Sequence, residues 1–138
     1  MSDFVLDASL ALQWFLEDET NRQYGLDVLA SLSEKRALVP ILWFYEVGNG
    51  LVMAHRRKRI SRDQFVGFIS RVENLPIDCA RQTAADILEL PVLAQRHGLT
   101  NYDAAYLGLA MQFSLPLATT DKRLVEAATS AGVNLVFA

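Results

Sequence analysis

Four acidic residues, Asp7, Glu46, Asp103 and Asp121, each stand where an apolar run ends or is interrupted, although they are scattered from one end of the chain to the other. Asp7 closes Phe4-Val5-Leu6, Glu46 breaks the run from Ile41 to Tyr45, Asp103 opens the stretch from Ala104 to Ala110, and Asp121 follows Leu117-Ala118-Thr119-Thr120. A carboxylate beside a core-forming segment is costly unless it is paired, hydrogen-bonded or bound to a cation. Two carboxylates ~4 Å apart repel by roughly 4 kcal/mol at an effective dielectric of 20, so four that converge require protonation or a divalent cation. Oxygen-only ligands select hard cations, Mg2+ with Mn2+ as a substitute, whereas the single Cys79 and the poorly placed His55 and His97 argue against zinc. A cation held this way polarises a phosphodiester and activates water. The chemistry expected is therefore phosphodiester hydrolysis with a carboxylate-bound metal.

Each acid also has a local explanation. Asp7 before Ala8-Ser9-Leu10 and Asp121 before Lys122-Arg123-Leu124 read as helix N-caps, worth about 1 kcal/mol each, and Asp103 in a first helical turn is favoured by the dipole. Glu46 is flanked by Phe44, Tyr45, Val47, Leu51 and Val52, which predict a helix buried on much of its circumference. Asn49, three residues on, shares its face. Sequence alone leaves both readings open for the three capping positions.

The elements that must position these residues follow from the apolar patterning. Short apolar runs at 4–6, 37–39, 75–77, 117–119 and 134–137 read as strands of a parallel sheet covered on both faces. Helical periodicity predicts helices at 8–15, 21–32, 42–57, 62–72, 83–96, 102–113 and 122–131, with Gly98 and Gly132 just past two ends and Pro91 kinking or splitting the fifth. Alternating strands and helices predict an open α/β sheet with helices on both faces. In such sheets ligands bind outside the carboxyl ends of the strands, where all four acids can face. With 138 residues, 51% hydrophobic and 21% charged, and no linker or repeat, the chain reads as one domain, 1–138.

Composition also excludes some classes. The formal net charge of −3 argues against coating nucleic acid through a broad basic face. The one concentrated basic stretch, His55-Arg56-Arg57-Lys58-Arg59, reads either as a solvated helix end or as a local phosphate-contacting patch, and exposure serves both. The segment 39–54 is interrupted by Pro40, Glu46, Gly48, Asn49 and Gly50 and is too short to span a membrane. One cysteine and an amino terminus without a secretion pattern lead us to expect a cytoplasmic protein.

The segments Val5-Leu6-Asp7-Ala8-Ser9, Pro40 with Glu46-Val47-Gly48-Asn49, Gly98 to Leu107 including Tyr102-Asp103-Ala104, and Leu117 to Leu124 including Thr119-Thr120-Asp121 resemble a PIN-domain nuclease. More narrowly, they are similar to the VapC toxins of toxin-antitoxin pairs, in the family's order along essentially the whole chain. That resemblance implies a three-layer α/β/α fold with a five-stranded parallel sheet of order 3-2-1-4-5, and magnesium-dependent endonucleolytic cleavage of RNA. It makes Asp7, Glu46, Asp103 and Asp121 the metal-binding, catalytic acids and Ser9, Asn49 and Thr119 polar helpers; Arg56, Arg57, Lys58 and Arg59 are candidate RNA phosphate contacts. It also implies a homodimer and a VapB-type antitoxin, for which Trp14, Phe15, Phe65, Phe68 and Ile69 are candidate groove residues. Some relatives carry a further acid after the last motif, where this chain has Lys122, Arg123 and Leu124.

Three rivals use related features. A signalling receiver needs a phosphoacceptor after the third strand, for which Asp78 is the candidate, and an acidic pair after the first, where Asp7 has no adjacent partner. A dehalogenase-type phosphatase needs a second aspartate where Ser9 stands. A PIN fold kept only as an interaction module would not need all four acids.

Overall fold

Asp7 is fixed by the strand that precedes it. In the computed structural model, which describes residues 1–18 and 20–137, β1 (Phe4–Leu6) lies inside a four-stranded sheet of order β3-β2-β1-β4. β2 is Ala37–Val39, β3 Ile77–Cys79 and β4 Leu117–Ala118, and every pairing is parallel. Phe4 pairs with Ala37, Val5 with both Leu38 and Leu117, and Leu6 with Ala118. β1, β2 and β4 are buried throughout, as apolar strands covered on both faces must be.

The helices are α1 (Ala8–Phe15), α2 (Gln23–Ser31), α3 (Leu42–Arg56), α4 (Arg62–Glu73), α5 (Ala84–Leu88), α6 (Leu90–His97), α7 (Asn101–Phe113) and α8 (Lys122–Ser130). α1 packs on α2 and α3, and α3 on α4. α7 packs on α6, α8 and β1. On α3 the buried residues Trp43, Val47, Leu51 and Ala54 recur at helical spacing and form one apolar stripe. Phe44 and Tyr45, expected inside, are 40% and 73% exposed, so only one side of this helix meets the core. Leu51, 1% exposed, anchors the helix that carries Glu46. Leu51→Ala should cost about 2–5 kcal/mol, read as a lower urea midpoint at unchanged slope.

Two expectations are corrected and one is resolved. The fifth strand is reduced to a single parallel bridge from Leu135 to Leu117, on the outer side of β4 as the order 3-2-1-4-5 requires. Leu117 N–H donates to Asn134 O and Val136 N–H to Leu117 O, but β4 is only two residues long and Phe137 turns to φ 59°. The third strand starts two residues later than the apolar count suggests. Asn74 and Leu75 still donate back to the end of α4, and Pro76, lacking an N–H, pairs only through its carbonyl, to Ala37 N–H. The helix expected over 83–96 is split rather than kinked, dividing at Glu89, because Pro91 falls in the first turn of α6, where a missing donor costs nothing. Among the described residues no helix is long and apolar enough to cross a membrane.

Candidate functional site

At the carboxyl end of β1, the backbone of Asp7 leaves the sheet in an extended conformation and becomes the N-cap of α1. One carboxyl oxygen, Oδ1, accepts the Ser9 backbone N–H at 3.3 Å. The other, Oδ2, accepts the hydroxyls of Ser9 at 2.9 Å and of Thr119 at 2.7 Å. Thr119 follows β4 and is 4% exposed. Its Oγ1 also accepts the backbone N–H of Asp121 at 3.1 Å. A chain of hydrogen bonds thus links Asp121 through Thr119 to Asp7 across the seam between β4 and β1. Asp121 itself caps α8, its Oδ1 accepting from Leu124 N–H at 3.0 Å.

Asp103 enters from α7. Thr100, not Asp103, caps that helix, its hydroxyl accepting the Asp103 backbone N–H at 3.1 Å. Glu46 sits on the second turn of α3, half-buried, and receives the hydroxyl of Tyr106 on its Oε1. Tyr106 lies three residues beyond Asp103 on α7 and is 1% exposed. One side chain thus ties α7 to Glu46 on α3. The sequence reading missed Tyr106; its signal is a phenol one helical turn from an acid on a helix otherwise rich in alanine and leucine.

The four acids line one cavity of about 280 Å³, together with Ser9, Leu12, Asn49 and Gly50. Burial raises the Asp7 carboxyl above the usual carboxylate range, against the hydrogen bonds from Thr119 and Ser9, and Asp103 adds to the rise. Burial also raises Glu46, opposed by the Tyr106 hydroxyl and reinforced by Asp7 and Asp103. Asp103 is raised by burial, with Thr100 lowering it, Asp121 raising it and Arg123 lowering it. Burial, followed by the bond to Glu46, raises the Tyr106 phenol and keeps it a donor. The acids repel one another, and among the described residues none of the four forms an ion pair with a basic side chain.

That is the electrostatic signature of a site short of positive charge. Among the described residues no three Asp, Glu, His or Cys side chains stand close enough to form a ready-made metal cage. The donor set nevertheless fits magnesium, which dehydrates reluctantly and takes one or two carboxylates directly while its waters meet the rest. Capping leaves acceptor capacity for a cation, since Oδ1 of Asp7 accepts one hydrogen bond while its Oδ2 accepts two hydroxyls, and the cap on α8 uses Oδ1 of Asp121.

The remaining candidates separate. Ser9 and Asn49 line the acid cavity, and Thr119 is buried behind it. Arg57 and Arg59 line an adjoining cleft, whereas Arg56 and Lys58 are exposed elsewhere on the same stretch. Trp14 and Phe15 are core residues, 4% and 2% exposed, with Trp14 Nε1 donating to Gly25 O and Phe15 packed on Phe68 at 5.0 Å. They do not line an open groove; Phe65 and Phe68 are half-buried, and Ile69 is 40% exposed. Asp78 is bound by Arg36 and by the Ser2 hydroxyl and does not line the acid cavity, so it offers no receiver-type phosphoacceptor.

The chain is 29% identical over 124 residues to Ribonuclease VapC3 of Pyrobaculum aerophilum, covering 88% of this chain and 92% of that protein. Its fold is shared with FitAcB from Neisseria gonorrhoeae at a TM-score of 0.65 and 20% identity, covering 96% and 95% of the two chains. A toxin-antitoxin complex from Klebsiella pneumoniae superimposes at 0.61 and 19% identity, covering 86% of this chain and 87% of that one. Residues 4–129 match the PIN domain family, and this chain, with its parallel sheet and its acids gathered at the ends of β1 and β4, belongs to that family.

Proposed function

We propose that the chain is the toxin of a type II toxin-antitoxin pair and acts as a magnesium-dependent endoribonuclease. The observation that carries this reading is the single cavity lined by Asp7, Glu46, Asp103 and Asp121, with no basic side chain paired to any of them among the described residues. Asp7 and Asp121 would hold the cation, with Glu46 and Asp103 ligating directly or through water. A divalent cation bound there supplies Lewis-acid polarisation of the phosphodiester and activation of the attacking water. The protein's own part is positional. Thr119 and Ser9 fix the Asp7 carboxylate through three hydrogen bonds, and Tyr106 fixes Glu46. Ser9 and Asn49 present polar groups to the same cavity, where they can orient water or a phosphate oxygen.

The similarity to Ribonuclease VapC3 supports RNA as the substrate, and the likeness to a toxin-antitoxin complex supports a VapB-type antitoxin as a partner. A homodimer belongs to the same reading and is tested by light scattering of the purified protein. The decisive experiment incubates purified protein with a mixed RNA pool in magnesium, in manganese and in EDTA. Cleavage is expected with either metal, lost in EDTA and regained when the metal is restored. Cleavage indifferent to EDTA would remove the metal from the mechanism, while well-folded protein that cleaves nothing would favour a non-catalytic interaction module.

A further inference from the structure

We propose that the cleft running along α1 and α3 away from the acids is the track for the RNA nucleotides that lead away from the scissile phosphate, a proposal that rests on the ribonuclease reading above. A second cavity, of about 330 Å³, continues from the acid-lined one and shares Ser9, Leu12 and Gly50 with it. Along α3 and its cap, Glu46, Gly50, Met53 and Arg57 follow at steps of four, three and four residues and so lie on one face. Eleven residues separate Glu46 from Arg57, about 16 Å of helix. That face therefore begins at a carboxylate of the proposed metal site and ends at a guanidinium. A Cβ at Gly50 would lie 2.5 Å from Leu12 Cδ1, so glycine at the junction lets α1 and α3 approach there.

The far wall has the chemistry of a phosphate contact. Arg57 forms no ion pair among the described residues, and a guanidinium matches phosphate oxygens in a bidentate geometry. Arg59 is held against the same wall by two bonds to Asp18, from Nε at 2.9 Å and from the terminal nitrogen at 2.7 Å. Gln13 and Thr120 complete the lining of the cleft, with Gln13 Oε1 buried against Gly25 of α2. A single strand laid along this face would put one phosphate at the acids and a phosphate further along the strand at Arg57.

The test measures binding of a fluorescent mixed-sequence single-stranded RNA to Asp7→Asn protein in magnesium across a salt series, with Arg57→Ala or Arg56→Ala added. Arg57→Ala should weaken binding and reduce the slope of log affinity against log salt by about 0.7, the value for one phosphate contact on a single strand. Arg56→Ala, outside the cleft, should leave the slope as it was. Equal slopes for the Arg57 and Arg56 variants would overturn the track, even if Arg57→Ala weakened binding of a partner polypeptide. If wild-type cleavage remained sensitive to EDTA in that case, the ribonuclease reading would stand alone. Absence of EDTA-sensitive cleavage from folded wild-type protein would overturn both.

Discussion

Asp7→Asn should abolish RNA cleavage and, in the absence of metal, make the fold more stable. The loss of activity should exceed the roughly 10–100-fold typical when a residue that only supports a metal ligand is removed. Asn keeps the shape of the cap, because asparagine is as good an N-cap as aspartate and the Ser9 and Thr119 hydroxyls can turn to accept from its amide. What disappears is the charge. The folded state holds the Asp7 proton to higher pH than the unfolded chain does, because burial disfavours its carboxylate. Its contribution to stability is therefore fully present below the ordinary carboxylate pKa and is lost as pH rises through the raised folded value. Thermal melts in EDTA from about pH 4 to about pH 7.5 should show the variant pulling ahead of wild type as pH increases. Adding magnesium should close the gap by stabilising wild type, since a ligand that binds only the folded state raises its stability. Metal-dependent cleavage retained by Asp7→Asn would remove Asp7 from the site, and a wild type more stable than the variant at neutral pH without metal would contradict the charge argument.

This trade of stability for charge is also why the acids were legible before the fold was known. Each interrupts an apolar run at the junction of a strand and a helix or within a helix start, and such interruptions survive in one-dimensional form. Elements bounded by strong local chemistry were equally plain. α1 begins after the Asp7 cap, and Gly98 and Gly132 adopt the left-handed backbone, φ 64° and 76°, expected past helix ends. Errors arose where local apolar count and tertiary pairing disagree. Leu75 looks like strand but completes the end of α4, and Phe44 and Tyr45 look like core but face outward from a helix with a single buried stripe. The bond from Thr119 to Asp7 spans 112 residues and has no local signature at all. Tyr106 was hidden by its own type, since an aromatic at helical spacing reads as packing and its hydroxyl counts only once Glu46 is placed beside it.

Tyr106→Phe should lower cleavage by about 10–100-fold at limiting magnesium, with much of the loss recovered at saturating metal. Phenylalanine preserves the ring in its buried seat on α7, so the change is confined to one hydroxyl. Its removal leaves Glu46 Oε1 without its donor in a half-buried setting, at a cost of about 1–3 kcal/mol. The Glu46 carboxyl, already raised by burial and lowered chiefly by this bond, would then hold its proton more tightly. A carboxyl that is more often protonated and less fixed in orientation is a poorer ligand, so the apparent affinity for manganese should fall along with cleavage. If Tyr106 acts through Glu46, the two positions must be coupled: once Glu46→Gln is in place, Tyr106→Phe should change manganese affinity little further. Independent, additive losses in the double variant would instead make Tyr106 a packing residue. The cycle separates these cases because a purely structural defect would lower the melting temperature by the same amount in both backgrounds, whereas a positioning role acts only while the Glu46 carboxylate is there to be positioned.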